Sequence, residues 1–218
     1  QTPGGTGALR VLADFINVAK PNATVWLGDP TWANHFPIMQ SAGLEVKQFP
    51  YYNRATKTLD FDGMLATLQT QTKAGDVILL HGCCHNPSGA DLSLEQWQTV
   101  AELIQAKGLV PYVDIAYQGL GEGMDEDAAG LRLMADSVPE MVIASSCSKN
   151  FGVYRERTGT AIIISSNADQ AKIAQSQMNS VIRANYSMPP SHGALAVETI
   201  LADPKLKQMW RDELKTMR

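Results

Sequence analysis

The sequence predicts an α/β fold with three layers, in which a mostly parallel sheet carries helices on both faces. Helical patterns alternate along the chain with short apolar or β-branched runs, and Gly, Pro, Asn or Asp bounds each run. A length of 218 residues, 44% of them hydrophobic and 18% charged, is enough to bury a sizeable core. We therefore expect one compact domain over residues 1–218.

The elements follow in a regular order. Strands are predicted at TVWLG, LEVKQFP, DVILLHG, LVPYVDIAY, EMVIASS and GTAIIISS. Helices are predicted at residues 6–19, 31–42, 61–72, 93–107, 127–137, 168–182 and 193–218. Ser93 and Gln96 form a capping-box pattern, and Pro204 should break the last helix.

The composition excludes several classes of partner. The net charge is -4 without a block of like charges, which gives no reason to expect nucleic acid or a membrane surface as a partner. No apolar run approaches the roughly 20 residues that span a bilayer. Three cysteines, two of them adjacent, are typical of a reducing compartment, so we expect a cytoplasmic protein. The chain begins within QTPGGTG and ends inside a helical pattern, which predicts a piece of a longer protein.

Chemically useful side chains follow the predicted strands. Ligands of such sheets bind beyond the carboxyl ends of the strands, so these residues should meet at one edge. They are Trp32 and His35, then Cys83, Cys84, His85 and Asn86, then Asp114 and Tyr117, and finally Ser146, Ser148 and Lys149.

Asp114 and Lys149 indicate a specific chemistry when they are taken together. Asp114 interrupts an apolar strand, where a carboxylate needs a cationic partner. Alone, Asp114 could cap a loop and Lys149 could extend to water from one. As a pair they match the two groups that an enzyme dependent on pyridoxal phosphate (PLP) must supply, which are a lysine for a Schiff base and an acid for the pyridine nitrogen.

A phosphate site should accompany that pair. The stretch PGGTGALRVLADF places Gly4, Gly5 and Thr6 before a helix whose free N–H groups favour an anion. Arg157 can add a bidentate guanidinium contact, and Ser146 and Ser148 can add hydroxyls. No Gly-Lys-Ser/Thr follows the glycines, and GLGEG lacks dinucleotide-binding spacing, so nucleotide sites are less favoured.

HGCCH, residues 81–85, offers four potential zinc ligands. Adjacent cysteines on an extended segment point in opposite directions, and no second ligand pair is evident. We therefore predict no metal site, and interpret the cysteines as small buried thiols.

The sequence resembles the class I aspartate aminotransferases, which are PLP-dependent enzymes. The resemblance rests on TPGGTGALR, DPTWANH, HGCCHNPSG, DIAYQG, SSCSKNFGVYRERTG and IRANYSMPPSHG, which occur in the family's order across essentially the whole chain. It implies the PLP-binding large domain of the aspartate aminotransferase fold, with both flanks missing and the small domain largely absent.

The resemblance also implies roles for individual residues. Lys149 would carry the Schiff base and move protons, and Asp114 would hold the protonated pyridine nitrogen. Tyr117 and Asn86 would bind the phenolic oxygen, and Trp32 would stack on the ring. The phosphate would be held by Gly5, Thr6, Ser146, Ser148 and Arg157. His35 and His81 would lie behind Asp114. Trp32 and Asn86 would also contact substrate, and Arg183 would bind the substrate's side-chain carboxylate in the other subunit of a homodimer.

By this resemblance the parent protein would transfer an amino group from L-aspartate or glutamate to a 2-oxo acid such as 2-oxoglutarate. An aromatic amino acid aminotransferase shares almost every motif and is the nearest alternative. A fragment that binds PLP without turnover is the alternative of another class. An α/β protein that binds a different phosphorylated ligand would leave the pairing of Asp114 with Lys149 a coincidence.

Overall fold

The computed structural model describes residues 1–218. The strands are β1 (Thr2–Pro3), β2 (Thr24–Asp29), β3 (Glu45–Pro50), β4 (Tyr52–Asn53), β5 (Thr58–Leu59), β6 (Val77–His81), β7 (Val110–Ile115), β8 (Met141–Ser146) and β9 (Thr158–Ile164). The helices are α1 (Gly4–Ala19), α2 (His35–Ser41), α3 (Phe61–Gln71), α4 (Leu94–Lys107), α5 (Ala129–Ser137), α6 (Ala168–Asn185), α7 (His192–Ala202) and α8 (Pro204–Met217). None of the helices combines the length and the apolar character needed to cross a membrane.

Seven strands form the main sheet in the order β1-β9-β8-β7-β6-β2-β3. The pairs from β3 to β8 are parallel, whereas β9 runs antiparallel to β8 and β1 runs antiparallel to β9. The predicted mostly parallel sheet is confirmed. The carboxyl ends of β6, β7 and β8 lie side by side at one edge.

Alternation along the strands divides the core into two apolar layers. In β7, Tyr112 packs with α1, while Val113 and Ile115 pack on the opposite face with α3, α4 and α5. The Tyr112 hydroxyl donates to the Leu9 carbonyl of α1 at 2.7 Å, so even the polar end of this buried ring is satisfied. Helices therefore cover both faces, as the sequence predicts.

Several element boundaries agree with the local signals. Ser93 and Gln96 form the expected capping box at the start of α4. The break at Pro204 is also confirmed, because α7 ends at Ala202 and Asp203 caps α8 through the backbone N–H groups of Lys205 and Leu206.

Other boundaries differ from the prediction. The helix predicted at 31–42 begins only at His35, which leaves residues 30–34 as the loop that follows β2. A 3-10 turn at Glu126–Ala128 precedes α5, and α1 begins at Gly4 rather than residue 6. The hairpin of β4 and β5 was not predicted from its short polar sequence.

Candidate active site

A cavity of about 320 Å³ opens at the carboxyl ends of β6, β7 and β8. It brings together residues from the start of α1, the loop after β2, and the ends of all three strands. Its walls include Gly5, Thr6, Trp32, His81, Asn86, Asp114, Tyr117, Ser146, Ser148, Lys149 and Arg157, all of which the sequence assigned to one site. His35 lies behind Asp114, outside the cavity wall.

Asp114 ends a hydrogen-bonded chain that runs back to the β6 loop. The Nε2 of His35 lies 3.1 Å from Oδ2 of Asp114, and Nδ1 of His35 lies 2.8 Å from the Thr31 hydroxyl. The same hydroxyl lies 3.0 Å from Nε2 of His81. The Asn86 backbone N–H donates to Nδ1 of His81 at 3.3 Å.

With both imidazoles neutral, the donors and acceptors of this hydrogen-bonded series can be arranged in only one direction. Nδ1 of His81 accepts from the backbone, so its Nε2–H must donate to Thr31. The Thr31 hydroxyl then donates to His35, and the Nε2–H of His35 donates to the Asp114 carboxylate. Burial lowers the pKa of His81 well below its usual value, which supports the neutral form. The Asp114 carboxylate is thus oriented by a donor from behind.

Lys149 follows β8 and is half-buried in the cavity wall. Its Nζ lies 4.6 Å from the centre of the Tyr117 ring. Burial lowers the pKa of Lys149, the Asp114 carboxylate opposes that shift, and Arg157 adds to it. A depressed pKa increases the fraction of neutral amine, which is the nucleophilic form. The direct hydrogen-bond partner of Asp114 is His35. Lys149, the cation expected beside Asp114, interacts with it electrostatically and forms no direct ion pair.

The start of α1 and the Arg157 side chain form an anion cradle. No side chain caps α1. The Gly4 N–H donates to the Arg157 carbonyl at 2.8 Å, so the N–H groups of Gly5 and Thr6 are the ones available to a ligand. Arg157 has φ +53, and its guanidinium donates to the carbonyls of Tyr154 and Pro3 at 3.0 and 3.3 Å. Its other N–H groups remain for an anion.

Two glycines are needed for this close approach. A Cβ at Gly4 would lie 2.6 Å from Nη2 of Arg157, and one at Gly5 would lie 2.9 Å from Cβ of Ser146. Gly4 also has φ +71, a conformation that favours glycine. The sequence PGGTG therefore permits a backbone, a guanidinium and a serine hydroxyl to meet at one point.

The remaining walls are aromatic and polar. Trp32 packs edge-on against His35, with ring centres 5.3 Å apart. Burial, with smaller effects from Tyr154 and Asp114, raises the pKa of Tyr117 and keeps its hydroxyl protonated. The cavity thus offers a flat wall, a phenolic donor and the amide of Asn86.

Sequence reasoning missed two contributors. Thr31, which joins the two histidines, carries a weak signal as a hydroxyl directly after β2 and four residues before His35. Tyr154 lines the cavity from the turn between β8 and β9, and nothing in its local sequence marks it.

Arg183 lies outside this cavity. It is exposed near the end of α6, and its Nη1 donates to the Ser187 hydroxyl at 2.7 Å. Its predicted role in a second subunit's site stays a prediction.

The HGCCH segment does not have the geometry predicted for it. Cys84 has φ +49, so the segment is not extended and the two thiols do not point apart. The sulfurs of Cys83 and Cys84 and an Asp127 carboxylate oxygen lie within 4.8 Å of one another. The prediction that the two cysteines point in opposite directions, which was the argument against their binding one metal ion, was therefore wrong.

Comparisons with known proteins agree with this geometry. The sequence profile of the family described as Aminotransferase class I and II matches residues 1–218. The Escherichia coli K12 protein named aspartate aminotransferase is 50% identical over 218 residues, which are 100% of this chain and 55% of that protein. The Paracoccus denitrificans protein named aromatic-amino-acid aminotransferase is 48% identical over 217 residues, again 100% of this chain and 55% of that protein.

A solved structure gives the same result in three dimensions. The aromatic-amino-acid aminotransferase of Burkholderia pseudomallei, described as covalently bound to pyridoxal phosphate, superposes with a TM-score of 0.97 at 46% identity. The match covers 99% of this chain and 54% of that one. The chain belongs to the class I and II aminotransferase family and has the fold of its PLP-dependent members. It spans about 55% of the length of the curated relatives that it matches.

Proposed function

We propose that residues 1–218 form the PLP-binding large domain of an aminotransferase that moves an amino group from L-aspartate or glutamate to a 2-oxo acid such as 2-oxoglutarate. The observation that carries this proposal is the convergence of Lys149, Asp114 and the anion cradle on one cavity. Such a set suits a phosphorylated pyridine aldehyde better than a phosphate alone, because an anion site by itself would not need a carboxylate held 3.1 Å from a buried histidine.

The residues of this chain fit PLP at each of its functional groups. When bound, PLP supplies an electron-withdrawing ring that stabilises negative charge at the α-carbon of an attached amino acid. The α1 N-terminus with Gly5 and Thr6, the hydroxyls of Ser146 and Ser148, and the Arg157 guanidinium would hold the phosphate. Trp32 would cover the ring.

Lys149 and Asp114 would have complementary roles. The lowered pKa of Lys149 favours the neutral amine that attacks an aldehyde, and the same amine can afterwards accept and deliver a proton. Asp114 would accept the N–H of a protonated pyridine nitrogen. His35, with His81 acting through Thr31, would orient the Asp114 carboxylate for that bond.

Tyr117 and Asn86 would donate to the phenolic oxygen of the cofactor. Both line the cavity, and the raised pKa of Tyr117 preserves its donor proton. Donation to a phenolate stabilises the deprotonated oxygen, so the two residues would favour the anionic form of the ring substituent. We expect Asn86 and Trp32, which line the same cavity, to contact the substrate as well.

Substrate recognition would extend beyond this cavity. We infer that Arg183 pairs with the side-chain carboxylate of a dicarboxylic substrate in a neighbouring subunit, which requires a homodimer. Its exposure and its position away from Lys149 agree with such a role. Bidentate pairing with a carboxylate is the contact for which a guanidinium is best suited. We also expect the parent protein to work in the cytoplasm.

Aromatic amino acids are the second candidate substrates. This alternative is supported by the 48% identity to a protein named aromatic-amino-acid aminotransferase and by the TM-score of 0.97 to a solved structure of that name. A fragment that binds PLP without turnover is the other alternative, since the chain spans about 55% of its relatives.

Borohydride trapping tests the proposal directly. The chain is incubated with PLP, reduced with borohydride and mapped by peptide mass, with and without prior addition of aspartate. We expect label on Lys149 in excess of label on the exposed Lys172, and no excess in Lys149→Arg. Loss of the Lys149 label after aspartate supports the transamination half-reaction. Label that persists supports the non-catalytic fragment, and absence of a Lys149 label refutes the PLP site.

A further inference from the structure

The vicinal cysteines after β6 form a site that the proposed function does not use. Cys83 is buried and lines the cavity, whereas Cys84 is partly exposed. Their sulfurs lie within 4.8 Å of each other. We call these two residues the Cys83–Cys84 dithiol.

The backbone holds the dithiol in this arrangement. The Asp91 carboxylate accepts from the N–H groups of Cys84 and His85, each at 2.7 Å. These two bonds stabilise the left-handed conformation of Cys84 at φ +49. An extended segment would place the two side chains on opposite sides, so the fold pre-organises a pair that the unfolded chain does not maintain.

The third group near the sulfurs is not free to act as a metal ligand. The Asp127 carboxylate accepts from the backbone N–H groups of Gly119, Gly121, Glu122 and Gly123 at 2.7 to 3.4 Å. Coordination of a cation would compete with these bonds. A divalent ion such as zinc also needs four ligands, and only two sulfurs are uncommitted here.

Two sulfurs without a third protein ligand favour an atom that bonds to two thiols and needs no further ligand from the protein. We propose that the Cys83–Cys84 dithiol is a binding site for trivalent arsenicals of the type R–As=O. Arsenic would form one bond to each sulfur, the bond between arsenic and oxygen would break, and the oxygen would leave as water with both thiol protons. Arsenic remains trivalent, so no oxidant or reductant is needed.

The sulfurs differ in reactivity in a way that suits this reaction. The adjacent Cys83 thiol lowers the pKa of Cys84, so the more accessible sulfur is the better first nucleophile. A Cβ at Gly121 would lie 3.1 Å from the Cys84 sulfur, which shows that protein closes that side. The reagent must therefore approach from the other side.

Phenylarsine oxide is the probe that tests the site. The folded chain is treated with one equivalent, and the adduct is measured by intact mass and located by peptide mapping. We expect one arsenical bridging residues 83 and 84, stable to excess 2-mercaptoethanol and released by 2,3-dimercaptopropanol. The matched control Cys147→Ala should retain the adduct, because Cys147 is also partly exposed but has no thiol beside it.

Two variants remove one sulfur each, and one loosens the loop. Cys83→Ala and Cys84→Gly should lose the adduct that resists monothiol, and glycine accepts the left-handed backbone at position 84. Asp91→Ala should bind several-fold more weakly, since it removes the pre-organising bonds. An adduct released by monothiol, mapped to Cys147, or formed no more tightly by the folded chain than in urea would overturn the proposal. These outcomes can be read in the unmodified chain if a variant fails to fold, and none depends on PLP binding.

Discussion

Replacement of Asp127 by alanine should destabilise the fold far more than replacement of its exposed neighbour Asp125. Asp127 is buried, and its two carboxylate oxygens accept from four of the five backbone N–H groups of the 119–123 segment. That segment follows Tyr117, so its conformation also positions a wall of the cavity.

The size of this stability loss depends on which of the four N–H donors water could reach once the carboxylate is removed. Gly119 and Gly123 are buried, whereas Gly121 and Glu122 are at least partly exposed. Each stranded buried donor costs about 1–3 kcal/mol, so two predict a loss of about 4 kcal/mol for Asp127→Ala. Asp127→Asn keeps one acceptor oxygen and should lose about half as much, about 2 kcal/mol.

Urea unfolding of the purified variants measures this effect. The midpoint should fall with an unchanged slope, which separates a stability change from a change in the surface exposed on unfolding. Asp125 pairs with Arg132 and Arg211 at 3.1 and 3.7 Å but is 64% exposed, so Asp125→Ala should change stability by less than about 1 kcal/mol. A loss for Asp127→Ala no larger than that of Asp125→Ala would refute the assignment of Asp127 as the acceptor that holds this segment.

Two predictions concern pH. The carboxylate of Asp114 raises the pKa of Lys149, whereas Arg157 lowers it. The pH midpoint for capture of an aldehyde by Lys149 should therefore fall in Asp114→Asn and rise in Arg157→Gln. Shifts of both midpoints in the same direction would contradict this. Burial lowers the pKa of His85 from 6.5 to about 4. Between these two pH values the unfolded chain therefore binds more protons than the folded chain. The free energy of unfolding should fall by about 3 kcal/mol as the pH drops from 6.5 to about 4. Urea midpoints across this interval should show a flatter pH dependence for His85→Gln than for the unmodified chain.

The sheet direction shows how far the sequence predicts the fold. Apolar runs bounded by turn residues locate the strands, but they do not indicate whether neighbouring strands pair in parallel or antiparallel. The segment between β8 and β9 contains only a 3-10 turn at Tyr154–Glu156 and no crossover helix. Parallel neighbours need a crossover of about a dozen or more residues, usually helical, so the antiparallel β9 follows from a connection that strand patterning alone does not weigh.

The candidate site was predictable where it depends on strand ends and not where it depends on long-range contacts. The strand-end rule assigned Asn86, Asp114 and Lys149 to one place, and the structure puts them there. The role of Thr31 depends on contacts 4 and 50 positions away, which local sequence does not encode. The left-handed Cys84 depends on Asp91 in the same way.

The apolar core and the polar site share one register. Along β7, Tyr112 packs with α1, so alternation directs Asp114 to the same face. Leu79 in β6 and Ala144 in β8 also pack in the α1 layer, and the same period of two directs His81 and Ser146 toward the start of α1.

A slip of one residue in β7 would exchange its two faces. It would turn Tyr112 toward α4 and move Asp114 away from the anion cradle, at the cost of the buried bond from Tyr112 to Leu9. Stability and chemistry are therefore not separable in this strand. The apolar contacts that fix the register of β7 are also the contacts that aim its carboxylate, so β7 core variants that keep the fold but loosen the register should weaken aldehyde capture at Lys149 before they abolish folding.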